Sequence, residues 1–504
     1  TFTGGSYTVA NGSTDLVIVT SADTVDFNAG TVTVGNNNFS IDTDTTDASG
    51  ANITFDGKIL GDTTQVSNAD VLSDLAFDAG SGTVTVTDIG YNGTADVDEI
   101  NSVALTGGTI STNGKINTHT LAANDKGTVT ITGALSLAGN TTIETNTAGS
   151  ETLDGNITVT GTTNAAASET LTINSGSGAV DFGNLIGGTN GLGNVAINTT
   201  AGTTGNLSTG TIAIAGIGSA DGSTTSGTDN GSTFTAGNTN TASITLDGDM
   251  YFTGGNTLFE ATSGNTIINN QGTNAVTDFV TSADTLEFKG GTLHVKETGV
   301  SIATSGGAVT VNSIDGDHDE TVTINAGAGA VSVGRIGGTN ASGEGIKSVA
   351  ITSSHATGIT LSGNITTSDT ADSDVTFTGD VVISGTVDID TSQGTDGSIE
   401  FTKTIKGPGS GTNNLTLDTG NDTLTFHATN STIGVGDKPL SSLSIGQNGG
   451  TAAITVPQIG DANDDGVSGT VLIGTSETTS VTMRDQLYRF GSGDVTIEAD
   501  TTGT

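Results

Sequence analysis

The chain has 504 residues, of which 77 are Gly and 3 are Pro, and it contains neither Cys nor Trp. It carries 54 acidic against 12 basic residues, a formal net charge of −42. The absence of Cys excludes disulfides and Cys-ligated metal sites, and the negative charge would repel a phosphate backbone, so nucleic acid is not an expected partner.

Short runs in which apolar residues alternate with Thr or Ser recur along the chain. The clearest, in chain order, are Thr31–Val34, Thr83–Val86, Thr128–Ile131, Thr170–Ile173, Thr321–Ile324 and Leu415–Leu417. A period of two places Val, Ile and Leu on one buried face of a strand and Thr on the other. Clusters of Gly, Asn, Asp and Ser between the runs are typical of turns. This patterning predicts an all-β fold and argues against the disorder that high net charge alone would indicate.

Helix signals are few and short. They are confined to the stretch around Asn68 to Leu75 and a second stretch at Met483 to Leu487. No segment approaches the roughly 18 apolar residues of a membrane-spanning helix, so we expect no transmembrane segment. Because the chain starts at Thr1 without an apolar leader, we expect a removed signal segment or a portion of a longer protein, and favour the latter.

Two kinds of internal repeat indicate a duplication. Thr20–Thr24 is identical to Thr281–Thr285, and Phe2–Gly5 is identical to Phe252–Gly255. A second motif, two apolar pairs around a Gly-containing turn, occurs at Leu75–Val86, Leu171–Phe182, Val322–Val333 and Leu415–Phe426. We therefore predict a first β-repeat unit at 1–248 and a second, homologous unit at 249–504.

Many short strands separated by turns favour a parallel β-solenoid (β-helix) of about 20–25 residues per coil, in which inner apolar residues stack as ladders. The alternative is a series of tandem β-sandwich domains. The spacings from Gly80 to Gly176 and from Gly327 to Gly420, 96 and 93 residues, would suit sandwiches, but the interval from Gly176 to Gly327 is 151 residues. The low aromatic content also favours the narrow coil of a solenoid.

The sequence of Leu171–Phe182, followed by Ile-Gly-Gly-Thr-Asn at Ile186–Asn190 and again at Ile336–Asn340, resembles the strand repeats of giant bacterial surface proteins. These include filamentous-haemagglutinin-like adhesins, autotransporter passengers and some S-layer proteins. The resemblance covers most of the chain and implies a secreted, extracellular β-solenoid on the cell surface, serving as an adhesin, fibre, sheath or lattice. It provides no catalytic motif to transfer.

The inventory of catalytic groups is small, and we predict that the protein is not an enzyme. The five histidines, His119, His294, His318, His355 and His427, are scattered and lie in no local catalytic motif. A polysaccharide-degrading cleft would need aromatic platforms and basic residues, whereas the chain has three Arg, four Tyr and no Trp.

Two acidic segments are candidate calcium sites. Asp461, Asn463 and Asp465 place oxygen ligands at positions 1, 3 and 5 of a loop with Gly466 at position 6, as a calcium loop begins. Position 12 is Leu472, so the closing carboxylate of that loop is missing. The alternative interpretation is a solvated acidic turn, since Asp is common in turns of this chain.

The second segment would place Asp315, Asp317 and Asp319 on one side of an extended strand. We predict structural Ca²⁺ at both segments, with a solvated acidic turn as the alternative at the second segment as well, and we predict no other cofactor. Three functions stay open. The first is a structural protein that self-assembles into a filament, sheath or S-layer-like lattice with divalent cations as counterions. The second is an adhesin for a cell-surface ligand, and the third is a β-helix polysaccharide-degrading enzyme.

Overall fold

The computed structural model describes residues 1–9, 14–28, 30–35, 37–45, 49–62, 73–91, 100–118, 127–146, 154–200, 209–219, 226–229, 231–252, 254–269, 276–296, 298–317, 319–338, 345–368, 370, 373–409, 412–427, 431–446, 450 and 452–500. Over these residues the chain forms 47 β-strands and no helix. The strands build a parallel β-solenoid of about 16 turns. The predicted all-β solenoid is therefore confirmed.

Apart from Ile100–Asn117 and Val129–Glu144, the strands are short. Strands β1 to β23 are, in chain order, Phe2–Thr3, Ser6–Val9, Leu16–Val19, Val25–Asn28, Thr31–Val34, Phe39–Asp42, Ile53–Phe55, Ile59–Gly61, Ser73–Asp78, Thr83–Val86, Ile100–Asn117, Val129–Glu144, Ile157–Val159, Thr163–Ala165, Leu171–Asn174, Val180–Ile186, Val195–Ile197, Ile212–Ile217, Phe234–Asn238, Ser243–Leu246, Met250–Tyr251, Thr257–Ala261 and Asn265–Ile268. Strands β24 to β47 are Thr277–Val280, Leu286–Gly290, Leu293–Val295, Gly299–Ala303, Val309–Gly316, Glu320–Asn325, Val331–Ile336, Ile346–Thr352, Ile359–Leu361, Ile365–Thr366, Val375–Thr378, Val381–Ile383, Thr386–Asp390, Ile399–Phe401, Ile405–Lys406, Asn414–Asp418, Leu424–Phe426, Thr432–Ile433, Ser442–Ile445, Ile454–Val456, Gln458–Ile459, Val471–Ile473, Val481–Met483 and Val495–Ile497.

The internal contacts of the chain divide it into two compact units, unit 1 at Thr1–Thr266 and unit 2 at Ile267–Thr504. This division follows packing density. The predicted boundary near Gly248 follows sequence repetition, which is a separate property, and it stays a prediction.

In unit 1 the coils stack through parallel ladders. Strands β1, β2 and β3 of the first coil pair in parallel with β4, β5 and β6 of the next. One continuous row of buried residues consists of Ile41, Phe77, Leu105, Ile131, Val159, Phe182, Ile214 and Leu246. The tandem-sandwich alternative is wrong, because sandwich sheets are built from antiparallel strands.

Unit 2 has the same construction. A buried inner row runs through Ile302, Ile324, Ile351, Phe377, Phe401 and Phe426, all paired in register between parallel strands. The outward residues beside it are Thr323, Ala350, Thr376, Glu400 and Thr425. Thr, Ala and Glu outside and large apolar residues inside agree with the period-two pattern.

Coil lengths lie close to the predicted 20–25 residues in unit 2 and mostly exceed them in unit 1. Successive members of the inner row lie 22 to 27 residues apart in unit 2 and 23 to 36 residues apart in unit 1. The predicted coil length was too short because the strand pattern does not constrain the length of the segments between strands. A solenoid tolerates such insertions at its corners, since each coil needs only its strands in register.

The four copies of the second motif share one turn geometry. Their glycines, Gly80, Gly176, Gly327 and Gly420, have φ angles of +54°, +58°, +55° and +55°. In each copy the N–H two residues after the glycine donates to the carbonyl of the residue before it, at 2.7 to 2.9 Å. Gly adopts this left-handed conformation without a Cβ clash, so the repeated sequence specifies a repeated corner.

The other repeat also has matching geometry in the two units. Ala22 and Ala283, at equivalent positions, have φ angles of +63° and +68°, which is uncommon for Ala. Thr20 Oγ1 donates to the Asp23 carbonyl at 2.7 Å, and Thr281 Oγ1 donates to the Asp284 carbonyl at 2.8 Å. The identical residues thus stabilise the same bend twice.

Both helix signals were wrong where the structure describes them. Residues 73–75 lie in strand β9, and 68–72 lie outside the described residues. Met483 ends strand β46, and 485–486 form a bend. Leu75 pairs with Phe39 and Met483 pairs with Val456 of a neighbouring coil, and this tertiary pairing overrides a weak local helix propensity.

Candidate metal centres and charged clusters

The acidic loop at 461–466 follows β44 and closes as a tight turn. Asp461 Oδ1 accepts the backbone N–H groups of Asn463 and Asp464 at 2.8 and 3.0 Å, and Oδ2 accepts that of Gly436 at 3.3 Å. These N–H groups, that of Asn463 first, favour the ionised carboxylate and lower the pKa of Asp461 below its ordinary value. Asp461 is therefore anionic, but its oxygens already cap the turn.

The rest of this loop is held by an arginine. Asp465 Oδ1 accepts Nε–H of Arg489 at 2.9 Å, and Arg489 Nη1 donates to the Ala462 carbonyl at 2.8 Å. Asn463 is exposed. Leu472, the twelfth position, lies within the paired strand β45. The guanidinium thus provides a positive charge to this loop, and the segment after it is a strand and not the second half of a calcium loop.

Sequence reasoning missed the carboxylate pair formed here by Asp437 and Asp464. Asp464 Oδ2 accepts the backbone N–H of Asp437 at 3.1 Å. A side-chain hydrogen bond with the Asp437 carboxyl raises the pKa of Asp464 above its ordinary value. The two residues are 27 positions apart, about one coil, so only knowledge of the coil length would have paired them.

The three carboxylates of the second segment bind different partners. Asp315 Oδ2 lies 3.6 Å from Arg335 Nη2. Asp317 Oδ1 lies 2.7 Å from His294 Nε2, and its Oδ2 lies 3.9 Å from Lys296 Nζ.

Asp319, at the end of this segment, has a positive φ of +41°. Its Oδ1 accepts the hydroxyls of Ser368 and Thr370, both at 2.9 Å. Among the described residues, no group of three Asp, Glu or His side chains converges as a metal site. Calcium at either segment stays a prediction.

The described histidines lie apart and have single partners of different kinds. His427 Nε2 lies 2.5 Å from Glu400 Oε1, as His294 lies beside Asp317. His355 Nδ1 accepts the Thr357 backbone N–H at 3.1 Å. His119 and His318 lie outside the described residues. A His–carboxylate pair orients an imidazole. Here the pairs His294–Asp317 and His427–Glu400 each join two successive coils, so these contacts are structural.

The feature that sequence reasoning missed entirely is a cleft on unit 2 that contains Lys406 and Lys438. Lys406 is followed by Gly and Pro408, and Lys438 is followed directly by Pro439. Two of the three prolines of the chain thus lie within two residues of these lysines. The closeness of proline to each lysine is the only hint in the sequence, and it does not show that the segments containing Lys406 and Lys438 lie together.

A pH-dependent effect is expected from Asp388, which is half-buried beside two other carboxylates. Burial first, and then the charges of Asp390 and Asp418, raise the pKa of Asp388. The folded state therefore binds a proton on the Asp388 carboxyl more tightly than the unfolded chain does. The stability contributed by this protonation is lost as the pH rises through the raised pKa. Asp388→Asn should raise the Tm at pH 7 by roughly 1–3 °C and leave it unchanged near pH 3, as measured by calorimetry.

The control for this prediction is Asp181→Asn, which removes an exposed outward carboxylate of β16. It should not produce the same difference between the two pH values. An equal gain at pH 3 and pH 7 for Asp388→Asn would show that charge is not the cause.

Where the structure describes the chain, it contains no apolar helix of membrane-spanning length. Comparisons with protein-family models, curated proteins and solved structures find no match to this chain, so its fold and the clusters described above are the basis for assigning a function.

Proposed function

We propose that the protein is an extracellular structural protein whose copies join head to tail into a filament, sheath or S-layer-like lattice. The observation that carries the proposal is the position of the exposed large apolar side chains. Among the described residues they lie only in the first and last coils, with exposed fractions of 36% to 56%, namely Phe2, Leu16, Val17, Val19, Leu487, Val495 and Ile497. An exposed apolar strand edge is a template for pairing with another strand.

The first coil has an open edge. Strand β3 pairs with β6 on one side, and within the described residues it has no strand on the other. Leu16 and Ile18 align with the buried residues Phe39 and Ile41, so they occupy inner positions of the coil.

The last coil has a matching open edge. Strand β47 pairs with β45, and the described residues contain no strand beyond it. Val495 and Ile497 align with the buried residues Val471 and Ile473, so they too occupy inner positions of the coil, and both are exposed in this structure. Val495 and Ile497 thus continue the row of inner residues that contains Val471 and Ile473.

The two open edges are complementary. Strand β3 is the third strand of its coil, and β47 is the last strand of its coil, so a second copy that presents β3 to β47 would extend the ladder in parallel. The inner residues of β3 in one copy would then pack against the inner residues of β47 in the other. Such a contact uses different surfaces of the two partners, and head-to-tail contacts of this kind propagate into open filaments.

The sequence resemblance supports the same function, and the net charge indicates the counterions that assembly would need. The net charge of −42 opposes contact between copies, so divalent cations are the expected counterions. The likeness of the repeats at Leu171–Phe182 and Ile186–Asn190 to strand repeats of bacterial surface proteins supports an extracellular, cell-surface location. The described histidine and carboxylate pairs bridge coils, as expected of a non-enzymatic structural protein.

Self-assembly is tested at the open edge of β47. Ile497→Lys places a charge at an inner position of this edge, where it would be buried between copies, and should keep the protein monomeric. Thr496→Lys introduces the same charge at an outward position of the same strand and should not prevent assembly. Sedimentation velocity and negative-stain microscopy, with calcium and with EDTA, measure the outcome.

The wild type and Thr496→Lys should form linear or laterally joined polymers, more readily with calcium. Ile497→Lys should sediment as a folded monomer with an unchanged circular dichroism spectrum. Polymers of Ile497→Lys like those of the wild type, or a wild type that stays monomeric in both buffers, would contradict the proposal.

A further inference from the structure

A cleft of about 260 Å³ lies on the outer surface of unit 2 across successive coils. Its floor follows the strand register, because Thr360 of β32 pairs with Val382 of β35, which pairs with Lys406 of β38. The rim includes Lys438 and Pro408. Parallel stacking therefore assembles the cleft from residues that are far apart in sequence.

The cleft concentrates positive charge on a strongly acidic chain. The Lys406 side chain is largely buried, and its Nζ lies 3.5 Å from Asp380 Oδ2, a contact that occupies one of its three N–H donors. Lys438 is exposed and has no carboxylate within ion-pair distance among the described residues. Its position beside β38 is fixed by the Gly407 N–H, which donates to the Lys438 carbonyl at 3.0 Å. Both charged side chains that line the cleft are lysines, with Asp380 beside Lys406 and Asp437 next to Lys438 in the chain.

The other lining residues combine hydroxyls with small apolar surfaces. Thr357, Thr360 and Ser384 supply hydroxyl groups that donate and accept hydrogen bonds. Val382 and Pro408 supply apolar surface without an aromatic ring. A ligand that matches this lining has an anionic group for the lysines, hydroxyls of its own, and a C–H face for the apolar residues.

The volume limits the size of that ligand. Pockets for drug-sized molecules measure roughly 300–1,000 Å³, so this smaller cleft fits one sugar ring better than a folded partner. From the charge, lining and size together, we propose that the cleft binds the carboxylated sugar unit of an acidic polysaccharide, with the uronate carboxylate held between Lys406 and Lys438. The cleft is distant in sequence from β3 and β47, and this binding does not depend on self-assembly.

The test uses the full chain and a trimer of galacturonate, with its neutral methyl ester as the matched ligand. Titration calorimetry in 0.15 M salt, where the Debye length is about 8 Å, limits the repulsion from distant carboxylates. EDTA in the buffer removes calcium bridges between carboxylates. The matched variants are Lys438→Gln, at the rim, and Lys403→Gln, an exposed lysine outside the cleft.

The acid trimer should bind, and the ester should bind at least about tenfold more weakly, since a hydrogen bond to a charged group contributes that much. Lys438→Gln should weaken binding of the acid by a similar factor, whereas Lys403→Gln should leave it within about twofold. Lys406→Gln should weaken binding further, and an unchanged melting temperature in Lys438→Gln separates lost binding from lost folding.

Three outcomes would overturn the proposal. The first is equal binding of acid and ester, which would show that charge is not recognised. The second is inorganic phosphate binding as tightly as the trimer, which would reduce the cleft to a general anion site. The third is no binding of the trimer to the wild type. Loss of polymers in Lys438→Gln would then assign the lysines to contacts between copies, and self-assembly would stand as a separate conclusion.

Discussion

Replacing Phe401 by alanine is expected to lower the free energy of unfolding by about 3–5 kcal/mol, the usual cost of removing a buried aromatic ring. Phe401 is 1% exposed, and its ring centroid lies 5.1 Å from that of Phe377 and 5.6 Å from that of Phe426. The strands on both sides are held in register by backbone hydrogen bonds, so the coil cannot collapse into the cavity. Urea denaturation monitored by circular dichroism, with hydrogen exchange of the β37 amides, measures the loss.

The matched variant is Phe2→Ala. Phe2 also stacks on a phenylalanine, with its centroid 4.5 Å from that of Phe27, but it belongs to the first coil and is 41% exposed. Its removal leaves no closed cavity and should cost well under half as much. Equal losses for Phe2→Ala and Phe401→Ala would mean that the inner row is not the main source of stability.

The inner rows could be predicted from sequence because each strand carries its own evidence. In Thr83–Val86 the two valines are buried and the two threonines are half-exposed, as the alternation indicates. The long strands β11 and β12 could not be predicted. Their internal glycines Gly114 and Gly133 indicate turns, yet the strand pairing continues past them with register shifts and positive φ angles.

The charged clusters depend on which residues of one coil lie beside which residues of the next. The sequence within a single coil does not contain this information. The spacing of Asp461, Asn463 and Asp465 suggests a metal loop, but it cannot reveal that Arg489 lies beside Asp465. In the same way, Lys438 comes beside the β38 segment only because the intervening chain completes a coil. A pattern within ten residues predicts strands and turns, whereas the sites of a solenoid form between residues about 25 positions apart.

The turn after β41 tests how closely the coils are stacked, because it contains two glycines of nearly identical conformation. Gly434 and Gly436 have φ angles of +62° and +64°. A Cβ at Gly434 would lie 1.9 Å from the carbonyl oxygen of Gly466 on the next coil, whereas a Cβ at Gly436 would have no atom within 4 Å. Gly436→Ala should therefore cost only the strain of a left-handed residue, about 1–2 kcal/mol.

Gly434→Ala bears the same strain and adds a clash with backbone that cannot rotate away as a side chain could. The Gly434 N–H donates to the Ile405 carbonyl at 2.7 Å, and the Gly460 N–H donates to the Ile433 carbonyl at 2.8 Å, so the coils on both sides are tied to this turn. Overpacking of this kind costs roughly a further 1–3 kcal/mol, and urea denaturation should show the difference between the two variants. Equal losses would mean that the coils separate at this corner without cost. A larger loss for Gly434→Ala alone would identify close backbone stacking, in addition to the positive φ, as the reason that this corner requires glycine.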